Sequence, residues 1–318
     1  MTQKIIIDTD PGQDDAVAIL LAFGSALSMG SDESELEVLA LTSVAGNVPL
    51  DYTTRNCLML TELAGRTDVP VHQGAVAPLQ RKLVTAEHVH GPTGIDGIDR
   101  PEPTTEIAGD QAAQFIVDTV MSTDDVMICT LGPLTNIARA LEIEPAIVER
   151  VPKLVLMGGG HFEGGNITPM AEFNIYVDPQ AAQAVFDSGI DLVMMPLDVT
   201  HKAISTPPRI DAFRALGTVA GDAVAGMLDF YHRFDIERYG MEGGPLHDPC
   251  VVAYLLQPDL FAGRHVNVAV ETESKLCMGA TVVDWWGATQ RKPNCQVMRD
   301  IDADGFYALL VDRIGRLG

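Results

Sequence analysis

Before residue 200 the chain alternates short apolar runs, rich in β-branched residues, with segments of helical period. That rhythm limits the fold more than any other feature. Runs at 4–7, 37–45, 126–131, 153–157 and 191–196 read as strands. Segments at 16–23, 51–64, 106–121 and 134–141 read as helices, and Asp178-Pro179 opens another, with Asp as cap and Pro at the first turn. Alternating β and α signals build βαβ units, and wholly apolar runs suit strands buried on both faces. The expected fold is α/β around a mostly parallel central sheet. Beyond residue 200 the reading turns helical at 208–216, 219–235 and 249–256. Short strands follow at 265–270, 280–284 and 295–299, with a last helix from 303. No Pro-, Gly- and Ser-rich linker divides the chain, so residues 1–318 read as one domain. The longest irregular stretch, 72–103, is rich in Gly, Pro and His, and a loop of that length is often functional.

Composition narrows the partners. A formal net charge of −23 argues against a nucleic-acid backbone, which needs a basic footprint. No run of eighteen apolar residues reads as a membrane span. The five cysteines, at 57, 129, 250, 277 and 295, are widely spaced without a CxxC. Reduced thiols in a cytoplasmic protein are the simpler expectation, and the first residues carry no signal-peptide pattern.

The sharpest local signal is Asp8-Thr9-Asp10-Pro11-Gly12-Gln13-Asp14-Asp15, at the end of the first strand. In open α/β sheets ligands bind at the carboxyl ends of strands. Pro11-Gly12 permits a tight turn and puts Asp14 and Asp15 in the first turn of a helix. Four carboxylates so close repel one another unless a cation lies between them. Oxygen-only ligation points to calcium or magnesium. The bland alternative is a capped helix with a solvated acidic loop. A phosphatase of the haloacid-dehalogenase type also begins with a strand and Asp-x-Asp, but Gly12 and the Asp14-Asp15 pair depart from that pattern.

Other polar groups follow other strand ends. Asn47 comes after the second strand, and 161–174 (HFEGGNITPMAEFN) follows the strand ending at Met157. Asn166, Glu172 and Asn174 suit the vicinal hydroxyls of a sugar, each of which both donates and accepts. Asparagines are equally turn formers. His247-Asp248-Pro249 reads either as a helix cap beside an incidental histidine or as a general acid beside a metal carboxylate.

Together these blocks resemble the inosine-uridine preferring nucleoside hydrolases. The resemblance is carried by DTDPGQDDAVAIL, TSVAGNV, HGPTGIDG, LGPLTNIA, LMGGG, GNITPMAEFNIYVDPQAA, PLDVTH and PLHDP, in family order over nearly the whole chain. It implies a single α/β, Rossmann-like domain with the site at the C-terminal ends of the strands. It implies a calcium ion on Asp10, Asp15, Asp248 and the Leu131 carbonyl. Asp14, Asn47, Asn166, Glu172 and Asn174 resemble the ribose-binding set, with Met157 on the same pocket wall. His90, His247 and Tyr231 resemble residues near the nucleobase. A second tyrosine of some members is Asp235 here, which leaves base preference open. The implied partner is a small ribonucleoside, and the implied assembly is a homodimer or homotetramer.

The implied reaction is hydrolysis of an N-riboside to ribose and free base through an oxocarbenium-like transition state. Asp10 resembles the general base for the attacking water, and His247 the acid for the leaving base. Two rival readings are a non-catalytic calcium-dependent nucleoside or ribose binder and a hydrolase of a modified riboside.

Overall fold

The computed structural model describes residues 2–26, 34–233, 236, 240 and 242–318. Its strands, in chain order, are β1 (Gln3–Thr9), β2 (Leu36–Ser43), β3 (Val71–Gln73), β4 (Val126–Thr130), β5 (Leu154–Met157), β6 (Leu192–Met195), β7 (Ile204–Ser205), β8 (Gly244–Pro245), β9 (Phe261–Val266), β10 (Val268–Val270), β11 (Thr281–Val283) and β12 (Cys295–Ile301). Eight form one sheet in the order β3-β2-β1-β4-β5-β6-β12-β9. All neighbours in it run parallel except β12 and β9. β7 pairs with β8, and β10 with β11.

The apolar runs become central strands because both faces of the sheet are covered. Ile5 and Ile7 join one buried cluster and Ile6 the other; Val155 and Met157 alternate likewise with Leu154 and Leu156. Successive side chains point to opposite faces, so strands covered on both sides need apolar residues throughout. The helix Gln13–Ser25 is buried along its whole length. It packs against the helices Val219–Tyr231, Pro249–Leu256 and Ala303–Ile314, as suits a helix apolar all round. Its start, just beyond β1, therefore meets the start of Pro249–Leu256 although the two are far apart in sequence. These layers form a single α/β domain.

Three element expectations shift. The helix expected at 106–121 begins at Ala112, because the residues before it pair with the sheet edge: Ala108 N donates to Val71 O, and Gln73 N to Gly109 O. The strand expected at 265–270 divides at Asn267 into β9, antiparallel to β12, and β10, which pairs with β11. The helix expected at 219–235 runs from Val219 to Tyr231, and Asp235 lies outside the described residues. Among the described residues no helix is long and apolar enough to cross a membrane.

Candidate active site

The ends of β1, β2, β4 and β5 deliver Asp10, Asn47, Leu131 and Met157 to one side of the sheet. Asp10 follows β1 directly, and its Oδ2 accepts from Asn47 N at 2.6 Å. Its Oδ1 is buried with no hydrogen-bond partner among the described residues. A Cβ on Gly46 or Gly132 would collide with this carboxylate, so both loops need glycine to admit it. Asn47 donates its side-chain amide to Asp10 O and Asp15 Oδ2, at 3.1 and 3.2 Å. Asp15 also accepts from Thr9 Oγ1 at 2.5 Å and Gly12 N at 2.9 Å. Behind them, buried Asp8 is pinned by Thr42 and Asn136 at 2.6 and 2.7 Å.

Asp248 decides between the two readings of its segment. It precedes Pro249–Leu256 but makes no side-chain cap bond, and its own backbone is helical. The carboxylate turns instead toward the start of the first helix: oxygens of Asp14, Asp15 and Asp248 lie within 4.8 Å of one another. Asp10 stands outside this closest trio. Burial and then the Asp15 charge raise the Asp10 carboxyl well above the carboxylate range. Burial, Asp14 and Asp15 do the same to Asp248. Burial and then Asp15 push Asp14 up to about 8.

The donor set fits a hard divalent cation. Asp14 Oδ1, like Asp10 Oδ1, is buried without a hydrogen-bond partner among the described residues. The surrounding cavity, of about 420 Å³, has no lysine or arginine among its described lining residues. Buried carboxylates are held by a cation or by protonation, and an all-oxygen set suits calcium or magnesium.

One part of the cavity lining comes from the segment after β5. Glu172 caps the helix Phe173–Val177: Oε1 accepts from Asn174 N at 2.9 Å, and Oε2 from Gly159 N at 2.9 Å. Burial raises its carboxyl to about 7. Asn174 donates to the Leu131 carbonyl at 2.7 Å and the Met157 carbonyl at 3.2 Å. Asn166 accepts from Phe173 N at 2.9 Å, so it also forms the turn. Asp14, Asn47, Leu131, Met157, Asn166, Glu172, Asn174 and Asp248 all line the cavity.

His90, Tyr231 and His247 also line the cavity. The His90 ring stacks on Tyr231 with centroids 5.4 Å apart, and its Nδ1 lies 2.8 Å from Gln13 Oε1. Burial lowers His90 to about 3, with His88 adding to the effect. His247 Nδ1 lies 2.7 Å from Thr200 Oγ1. Burial, then His201 and His90, hold its ring well below the usual histidine range.

Several residues here had no assigned role in the sequence. His201 lies beside His247, with centroids 5.8 Å apart, and its Nδ1 is 3.3 Å from Glu163. Asp198 accepts from the backbone amides of His161, Phe162 and Glu163 at 2.8, 2.7 and 3.3 Å. It thereby fastens the loop after β5 to the segment that carries Thr200 and His201. The block PLDVTH was the available signal, but spacing alone gave its members no task.

The family description "Inosine-uridine preferring nucleoside hydrolase" matches residues 5–308. The chain belongs to this family. The chain is 46% identical over 318 residues to the pyrimidine-specific ribonucleoside hydrolase RihA of Escherichia coli K12, covering 99% of each. The solved purine-preferring ribonucleoside hydrolase of Gardnerella vaginalis is 32% identical with a TM-score of 0.90, covering 99% of each chain. A solved inosine-guanosine nucleoside hydrolase is 27% identical with a TM-score of 0.87, covering 98% of each. This nucleoside hydrolase acts on small-molecule ribonucleosides, releasing ribose and free base. Both the phosphatase reading and the non-catalytic binder give way to that membership. Its acidic cluster could hold the metal of a metal-dependent hydrolase.

Proposed function

We propose that residues 1–318 work as one calcium-dependent ribonucleoside hydrolase domain. The observation that carries this reading is the convergence of Asp14, Asp15 and Asp248, with Asp10 Oδ1 and Asp14 Oδ1 buried and without hydrogen-bond partners among the described residues. Asp10, Asp15, Asp248 and the Leu131 carbonyl would hold the ion, with Asp14 beside it. A bound calcium supplies Lewis acidity toward oxygen and fixed positive charge.

The chain's own residues do the rest. Asp14, Asn47, Asn166, Glu172 and Asn174 orient the ribose, with Met157 packed beneath it. Asp10 takes the proton of the attacking water as its oxygen bonds to C1′. The base departs with the electrons of the C1′–N bond and takes up a proton from solvent water, balancing the one that Asp10 removes and later returns to solvent. The carboxylates favour the positive charge that develops on the sugar. His90 and Tyr231 hold the base, and His247 assists its departure.

Pyrimidine ribonucleosides are the preferred substrates in this reading, because the pyrimidine-specific relative is 46% identical and the purine-preferring one 32%. We assign the protein to the cytoplasm as a homodimer or homotetramer; its five cysteines are all free, four of them buried. The test is release of reducing sugar from uridine, cytidine, inosine, adenosine and guanosine, before and after chelation. Uridine and cytidine should lead, and chelation should stop all turnover until calcium returns. Full activity after chelation would contradict the metal assignment.

A further inference from the structure

We propose that Thr200 holds His247 with Nδ1 as an acceptor, so that the ring proton sits on Nε2 and is offered as a hydrogen-bond donor to the departing base. Thr200 is fully buried, and its hydroxyl lies 2.7 Å from His247 Nδ1. A hydroxyl carries one proton and two lone pairs. If Nδ1 bore the ring proton, Thr200 would accept it, and its own O–H would need another acceptor. The carbonyl that a helical threonine often reaches is four residues back. Here that carbonyl, on Pro196, already accepts from Val199 N and Thr200 N at 3.0 and 3.1 Å. Among the described residues, Nδ1 is the hydroxyl's one hydrogen-bond partner.

Donation from Thr200 to Nδ1 satisfies both groups, and a buried O–H left unpaired is costly. With Nδ1 accepting, the ring proton sits on Nε2. His247 lines the cavity, while the neighbouring His201 is engaged with Glu163. As the base leaves with the C1′–N electrons, negative charge grows on its ring. A donor fixed in advance stabilises that charge most in the transition state. Thr200 is thus a positioning residue that acts through His247.

The proposal rests on the reading of His247 as the leaving-group residue, and the two can fail separately. In holoenzyme labelled with 15N-histidine, with H247Q assigning the signal, long-range 15N–1H correlation should show Nε2 protonated and Nδ1 bare near neutral pH. A protonated Nδ1 overturns the proposal whatever the kinetics. Thr200→Val keeps the shape and removes the donor. Its kcat on uridine should fall about 10- to 100-fold with KM little changed, while p-nitrophenyl riboside, whose leaving group needs no help, loses less than about threefold. Thr200→Ser should restore most of the uridine activity. Equal losses on both substrates, or none, overturn the proposal. An H247Q enzyme with full uridine activity sinks the leaving-group reading, and this proposal with it, even where the tautomer is as stated.

Discussion

The buried carboxylate cluster, here the floor, and the imidazoles that line the cavity, here the wall, are held in different ways. Asp10, Asp14, Asp15 and Asp248 come from a central strand end and from two helices packed on each other in the core. His90, Thr200 and His201 come from four-residue helices or the residue just after one, whereas Tyr231 ends Val219–Tyr231 and His247 directly precedes Asp248. A floor set by rigid, buried elements suits chemistry that every ribonucleoside shares. The short pieces of the wall can vary with the base without disturbing the sheet. The comparison predicts that floor changes harm all substrates alike, whereas wall changes sort substrates by their leaving group.

The largest expected effect concerns the sugar. A site built to hydrogen-bond a hydroxyl rejects the analogue that lacks it by roughly 10,000-fold or more. Uridine should exceed 2′-deoxyuridine in kcat/KM by that order; comparable values would remove the ribose role of Asp14, Asn166, Glu172 and Asn174. Next comes Asp10→Asn, which should cut kcat about 100- to 10,000-fold. The loss should be similar for uridine, inosine and p-nitrophenyl riboside, since all need the attacking water. A loss confined to one base would move Asp10 from the floor to the wall in function.

His247→Ala should behave in the opposite way. It should lower kcat on inosine by roughly 100-fold or more while calcium content stays unchanged. The nitrophenyl substrate should lose much less. Equal losses would make His247 structural or purely a binding residue.

The smallest effect is on stability. Burial raises the Glu172 carboxyl from 4.5 to about 7. A carboxyl raised in the folded state stabilises fully below its unfolded value, and that contribution is lost as pH rises through the folded one. Glu172→Gln should therefore show a shallower fall of Tm than wild type between pH 4.5 and 7. Parallel curves would show that Glu172 carries no such burden.

The floor was largely legible in the sequence, and the wall much less so. β1, the turn at Pro11-Gly12 and the helix after it follow from an apolar run, two turn residues and an apolar helical segment. Asp248 was ambiguous because Asp before Pro is also a good helix cap. Only the packing of Gln13–Ser25 on Pro249–Leu256 brings its carboxylate to Asp14 and Asp15. On the wall, Asp198, Thr200 and His201 work through bonds to loops distant in sequence, so no periodicity marks them. The late start of Ala112–Ser122 was missed for the same reason: Ala108 and Gly109 are claimed by the sheet edge.

The central claim is that the carboxylate floor holds one calcium ion. Anomalous diffraction from crystals of the protein with calcium would test it most directly. One peak per chain should lie about 2.3–2.6 Å from oxygens of Asp10, Asp15, Asp248 and the Leu131 carbonyl. No peak at saturating calcium, or a peak away from these oxygens, would contradict it.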